Sequence, residues 1–373
     1  MSGPSHETGD ASSRSGLRAC LAMTLGVKIL LLATGWLVAE TRLDATFREP
    51  GRLFGLFHRW DSAHYLAIAE SGYAPPPSPL LAFPPALPLL IRGVSALSGS
   101  VESAAVLVST LLSFLPPLLL FLLVRLDGGT TDTGVDAVRA LLLFPTALFL
   151  HVAYTESLFL TLVLGAFVAA RTGRWGLCAL AGALTGFTRI NGFVLIPALA
   201  LEAWPGPRKG RTLRLAAAAA PCLGVALYMA ITASVAGDPL AFMSVQRQHF
   251  HRHFAMPWEG VGNLLVGARI GGGDAMMVGV LQLAFIPMML AAIVAASRSG
   301  RPSYVAWTVG NVLVFTAQGF WISVPRLVLV LFPFFIRLPL RLEDPLVRSL
   351  WFAGSTLLLG FLTAQFATGW WVS

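Results

Sequence analysis

The stretch FHRWDSAHYLAIAESGY, residues 57–73, concentrates reactive side chains in a chain that is otherwise mostly apolar. Read as a helix, its RWDSAHY segment puts Asp61, His64 and Tyr65 on one face, because residues three and four apart are neighbours on a helix surface. A carboxylate held there can act as a general base, taking a proton from an attacking hydroxyl. It can also be purely structural, pairing with Arg59 or capping an interfacial helix whose Trp60 sits at headgroup level.

Other segments offer complementary chemistry. Glu156 follows Tyr154 in a YTES turn, where a carboxylate either complements a helix N-terminus or touches a substrate. Arg189 stands in TRING, before Asn191, and an arginine so placed snorkels, pairs with an acid such as Glu156, or binds phosphate. The segment GDPLAFMSVQRQHFHRHFAMPW carries His249, His251 and His253 among Arg247 and Arg252. All three histidines share a face only in an extended segment, and no carboxylate at a ligand spacing accompanies them. Contact of His249, Arg247 and Arg252 with lipid or phosphate is therefore preferred to a metal site. Arg326, after Pro325, reaches an anionic headgroup or anchors a span at the interface. Neither a metal nor a cofactor is expected.

These residues need elements to hold them. Of 373 residues, 56% are hydrophobic and only 12% charged, about half the charged share of a soluble domain. That excludes an ordinary soluble enzyme and predicts an all-α polytopic membrane protein. The net charge of +8 does not indicate nucleic-acid binding, since the cations fall in short loops between apolar runs, where they orient a chain in the bilayer. Cys20, Cys178 and Cys222 show no metal or disulfide spacing. The Arg-over-Lys bias with abundant Ala, Gly, Leu and Pro suggests a GC-rich bacterial source.

Apolar stretches at 17–39, 103–125, 138–153, 156–171, 175–190, 192–204, 213–236, 275–297, 303–322, 326–341 and 346–371 predict about eleven transmembrane helices. Residues 1–16 read as a disordered cytoplasmic tail, and 17–371 as a single transmembrane domain. Arg14 and Arg18, and above all PGPRKGRTLR at 205–214, place the N-terminus in the cytoplasm. The proline-opened segment 84–98 reads as interfacial or re-entrant, with amphipathic helices in the first outer loop. On this topology the outer face gathers loop 40–102 with its segment 57–73, the YTES turn, the TRING turn, loop 237–274 and the SVPR turn. Convergence of separate polar segments on one face predicts a site.

Several blocks carry a resemblance. RWDSAHYLAIAESGY with AFPPALPLLIR, LFPTALFLHVAYTESLFL, LTGFTRINGFVLIPAL, GDPLAF with a downstream PW, and SVPRLVLVLFPFF occur in the order seen in the PIG-V family. This family, GPI mannosyltransferase 2 and its bacterial relatives, belongs to the GT-C lipid-dependent glycosyltransferases. The resemblance implies a GT-C fold and transfer of mannose from a polyprenyl-phosphate donor to an acceptor hydroxyl, with inversion, on the outer face of a bacterial plasma membrane. It implies Asp61 as the base. The arginines Arg189, Arg326, Arg247 and Arg252 are then candidates for the donor phosphate, and Arg59, Trp60, His64, Tyr65, Tyr154, Glu156, Asn191 and His249 for other substrate contacts. Departures are visible: Phe83-Pro84-Pro85-Ala86-Leu87-Pro88 lacks the tyrosine of the family's FPLYP pattern, and Ile190-Asn191 replaces a proline-containing continuation after Arg189.

The acceptor implied is a glycolipid, a glycan or a protein, in contact with membrane lipids and with an auxiliary membrane subunit as a further partner. Rival readings are a flippase for a lipid-linked sugar and a noncatalytic GT-C-like partner subunit. A flippase of repeat architecture would show paired broken helices at a fixed offset, and none is evident in the sequence.

Overall fold

The computed structural model describes residues 5–42, 55, 58–76, 78–270 and 273–372. Among these the regular structure is helical, with Phe254 and Gln318 forming an isolated antiparallel bridge. Helices Ser12–Thr41, Val101–Leu126, Arg211–Ala236, Val278–Ser297 and Pro345–Ala367 are long and apolar enough to cross a membrane. The chain is thus an all-α, multi-pass membrane protein. Other expected crossings are helical but shorter, as at Trp175–Thr188, Leu195–Ala203 and Pro302–Thr316, while the stretch expected at 138–153 leaves its α-helix at Leu142 for turns and the short 3-10 segment Ala147–Leu150, so the count of about eleven is not reached on length alone.

Proline explains much of the shortening. The stretch expected at 326–341 is broken into Val324–Val330 and Pro333–Arg337, each with a proline in its first turn. There the missing N–H costs nothing, while continuation of the preceding helix is blocked. The first helix begins at Ser5, inside the segment read as a tail, and Ser12 Oγ lies 2.8 Å from Thr131 Oγ1. Once Leu17–Ala39 is helical, extending it is cheap because nucleation has already occurred. Of the segment 40–102, residues 43–54, 56, 57 and 77 lie outside the described residues, while Asp61–Ser71 and Ala86–Ser98 form the helices expected there.

Two packing arrangements position the polar segments. Helix Thr155–Arg171 lies in the main core, its Phe159, Val163 and Phe167 fully buried with Trp307, Tyr304 and Phe332. Helix Asp61–Ser71 inserts Tyr65, Ile68 and Ala69 into a second cluster with Leu81, Leu87, Ile91 and Val108. Helix Trp175–Thr188, which delivers Arg189, meets Pro221–Ala236 backbone to backbone: a Cβ at Gly186 would overlap the Pro221 carbonyl, and one at Gly224 the Ala183 carbonyl. Small residues permit this approach, which suits helices associating in lipid.

Helix Thr155–Arg171 also joins two ionic clusters. Glu156 starts it, and Arg171 ends it in a network with Asp127, Glu202 and Arg301. Fifteen residues of helix separate the two by about 22 Å, so the clusters occupy opposite ends of this helix.

Candidate active site

Asp61 opens its helix, and Arg326 Nη1 contacts its Oδ2 at 2.6 Å. The same guanidinium places Nε 2.5 Å from Glu156 Oε1. Arg189 reaches that oxygen from the other side with Nη2, also at 2.5 Å, and donates from Nε to Thr155 Oγ1 at 2.9 Å. Glu156 is completely buried, and its Oε2 has no hydrogen-bond partner among the described residues. Burying Arg326 beside the partly buried Arg189 requires paired charge, and Glu156 supplies it from behind. Arg326 is further held over the rings of Tyr154 (4.6 Å) and Phe149 (5.2 Å).

These groups stand at a cavity of about 970 Å³, lined by Asp61, Arg189, Arg326, Arg247 and Arg252 together with Trp60, His64, Tyr65 and Asn191. Four of the five segments expected on the outer face line it, and the YTES turn backs it through Thr155 and Glu156. The arginines exceed the acids, so the cavity favours an anion. Arg252 shows the imbalance. Its pKa is lowered to about 10, first by burial and further by Arg326 and Arg189, against the opposing pull of Asp61. Its Nε is buried with no partner among the described residues.

The aromatic wall has its own electrostatics. Burial pushes Tyr65 up to about 12, with Asp61 adding to the effect. His64 stacks on Phe83 at 4.6 Å, and burial lowers its pKa despite the neighbouring Asp61. Tyr65 Oη lies 3.5 Å from Thr155 Oγ1, which links the wall to the arginine cluster.

Some expected residues sit elsewhere. Glu156 lies behind the arginines and Tyr154 beneath Arg326, its Oη donating to the Arg59 carbonyl at 3.1 Å. Arg59 donates from Nη2 to the Ala367 carbonyl at 3.2 Å. These three are outside the set of residues that line the cavity. His249 lies on the last turn of helix Ala241–Phe250 and is exposed, whereas His253 lines the cavity. The reason is the helix end: the chain turns at His251 (φ 53°), and the bond from Gly319 N–H to the His253 carbonyl, 3.0 Å, carries His253 inward.

Asn311, Gln318 and Trp371 also line the cavity and were not singled out from the sequence. Asn311 Oδ1 accepts from Asn191 Nδ2 at 2.9 Å. An amide in the middle of an apolar span was the signal available for Asn311; nothing comparable marks Trp371.

Backbone strain points to the same place. Among the described residues, the non-glycine positions with positive φ are Trp60, His251 and Ser323. Trp60 directly precedes Asp61, His251 precedes Arg252, and Ser323 caps the helix bearing Arg326. Such conformations cost on the order of 1–3 kcal/mol each and gather where function needs a side chain aimed unusually.

Residues 43–203 match the family model Mannosyl_trans2, mannosyltransferase (PIG-V). The resemblance read from the sequence is therefore upheld over the part of the chain holding Asp61, Glu156 and Arg189, while Arg247, Arg252 and Arg326 lie beyond the match. Among solved structures the chain is similar to ArnT from Cupriavidus metallidurans bound to undecaprenyl phosphate, at 16% identity and a TM-score of 0.52. That alignment covers 91% of this chain and 63% of ArnT, so the chain spans less than two thirds of its neighbour. It also aligns with the apo oligosaccharyltransferase of Archaeoglobus fulgidus at 12% identity and a TM-score of 0.47, over 93% of this chain and 54% of that one. No curated protein matches. The fold shared with ArnT is of the GT-C type, as expected.

Proposed function

We propose that this protein is an integral-membrane glycosyltransferase that moves a mannosyl residue from a polyprenyl-phosphate donor to an acceptor hydroxyl. Asp61 acts as the general base and the reaction inverts the anomeric centre. The observation that carries this reading is the Asp61–Arg326 pair, 2.6 Å apart at the wall of an arginine-lined cavity. Arg326 occupies Oδ2 and leaves Oδ1 of Asp61 without a hydrogen-bond partner among the described residues. That oxygen is available to take a proton from an acceptor hydroxyl, which then attacks the sugar.

The leaving group is a phosphate monoester that gains charge as the glycosidic bond breaks. Arg252 and Arg247, with Arg189 and Arg326 beside them, supply the positive field such a group needs. A preorganised donor of this kind contributes about 3 kcal/mol to transition-state stabilisation. A phosphate monoester needs no divalent ion to bridge two phosphates, and the guanidinium groups are suited to bind it directly. The undecaprenyl phosphate in the ArnT structure supports a lipid-phosphate donor for the related fold. The acceptor is a hydroxyl of a glycolipid, glycan or protein presented at the outer face of a bacterial plasma membrane.

The test uses membranes containing the wild-type chain or Asp61→Asn at matched expression. Both receive polyprenyl-phosphate mannose carrying a labelled sugar, with extracted host lipids and glycans as acceptors. Label entering an alkali-stable product with wild type alone is the expected result. Equal transfer by both removes Asp61 as the base. Movement of intact labelled donor across the membrane without transfer would instead establish a flippase.

A further inference from the structure

The segment following the last helix folds back onto the residue before Asp61. Helix Pro345–Ala367 ends, Gly369 adopts φ 92°, and the chain returns so that Trp60 Nε1 donates to the Trp370 carbonyl at 3.3 Å. The Trp60 and Trp371 rings meet edge to face with centroids 5.2 Å apart. Arg59 donates to the Ala367 carbonyl at 3.2 Å, and Val372 is buried, 1% exposed. Phe366 packs 6.0 Å from Tyr154, whose hydroxyl binds the Arg59 carbonyl.

Trp60 needs such support. At φ 56° and ψ −120° it occupies a backbone region that a bulky L-residue rarely adopts. Its side chain makes no cap for the helix it precedes. A strained conformation persists only where the surroundings over-determine it. The contacts that do so here come from the segment after the last helix, far away in sequence.

We infer that residues 368–372 are a positioning element for the base, with Trp371 as the residue that locks Trp60 and so aims the Asp61 carboxylate at the cavity. Trp371 acts through Trp60, and its ring also closes the cavity wall beside Asp61. An aromatic edge-to-face pair adds attraction beyond its buried area, which opposes the strain at Trp60. The role of Asp61 rests on the function proposed above; the conformational claim does not.

The experiment is hydrogen–deuterium exchange on the purified full chain in detergent, comparing wild type, Trp371→Ala, Trp371→Phe and Trp60→Phe. The amides of Ser62 and Ala63, which bond the Arg59 and Trp60 carbonyls, are the reporters. Exchange there rises on the order of tenfold in Trp371→Ala, while Trp371→Phe, which keeps a ring against Trp60, stays near wild type. Trp60→Phe removes the bond to Trp370 while keeping a smaller ring against Trp371, and gives an intermediate rise, which keeps the test open if Trp371→Ala fails to fold. In the labelled-mannose assay, Trp371→Ala lowers kcat on the order of tenfold with the donor KM within about twofold. Unchanged exchange at these amides in Trp371→Ala overturns the inference. So does a raised donor KM with unchanged exchange, which would make Trp371 a substrate contact. If Asp61→Asn transfers normally while exchange responds as stated, the base assignment fails and the clamp stands.

Discussion

Arg326 and Asp61 come from segments 265 residues apart, yet they meet at 2.6 Å with the guanidinium buried. The Nε edge of the same side chain serves Glu156, so one arginine couples the proposed base to the buried carboxylate behind the site. Removing it would strip Asp61 of its orienting partner and leave Glu156 with Arg189 as its remaining cation.

Arg326→Gln is expected to reduce mannosyl transfer by about 100-fold or more, the scale seen when a preorganised electrostatic donor is lost. It also destabilises the fold, by about 3–5 kcal/mol if the buried network cannot relax. Arg326→Lys restores charge but cannot span both acids with separate edges, so it recovers stability better than turnover. Transfer rates and thermal unfolding in detergent check this. Wild-type turnover in Arg326→Gln would remove the pair from the mechanism.

Arg252 predicts the opposite balance. It sits in a cavity already holding Arg326 and Arg189, and burial with those neighbours pushes its pKa down to about 10. A charge held at a cost to the fold marks a site kept for binding. Arg252→Gln should leave the unfolding temperature unchanged or raise it, while the donor KM increases about tenfold. A fall in stability with unchanged KM would assign Arg252 a structural role.

His64 sets a pH dependence. Burial lowers its pKa below the ordinary histidine range, so the unfolded chain binds the proton first as pH drops. Stability from this group is present above the unfolded value of about 6.5 and is lost as pH falls toward the depressed folded value. Unfolding temperatures for wild type and His64→Phe should therefore converge or cross on going from pH 7.5 to pH 5, with wild type losing more. Parallel curves across that range would show that His64 does not titrate differently on folding.

Much of this site was legible in the sequence, because charge in an apolar chain is conspicuous. Asp61, Arg189 and Arg326 each stand out against their neighbours, and the pairing of Arg189 with Glu156 was an available reading of the TRING and YTES turns. What the sequence hid was depth. Glu156 and Tyr154 belong to the support of the site because helix Thr155–Arg171 is buried on nearly every side, and hydropathy alone does not separate protein-facing from lipid-facing positions. The His249, His251, His253 run resolves only once the helix end at Phe250 is known. Trp371 depends on a long-range fold-back with no local pattern. In the fold, apolar runs located the helices but not their breaks, since Pro333 divides the stretch 326–341, which reads as one span.

The placement of Arg189 rests on glycine, which gives a prediction remote from the cavity. Helices Trp175–Thr188 and Pro221–Ala236 touch backbone to backbone, and a side chain at Gly224 would meet the Ala183 carbonyl and the Phe187 amide. Neither is a flexible side-chain end that can move aside. Gly224→Ala must therefore push the helices apart, displacing the end of the helix that presents Arg189. Overpacking of this kind costs about 1–3 kcal/mol, while the helix itself gains slightly from replacing glycine. The net expectation is a lower unfolding temperature and reduced transfer, although no polar group of the site has changed. Gly354→Ala is the matched control, because a Cβ there meets nothing within 4 Å; it should be neutral or mildly stabilising. Equal behaviour of the two variants in thermal unfolding and in transfer would show that this helix contact does not hold Arg189 in place.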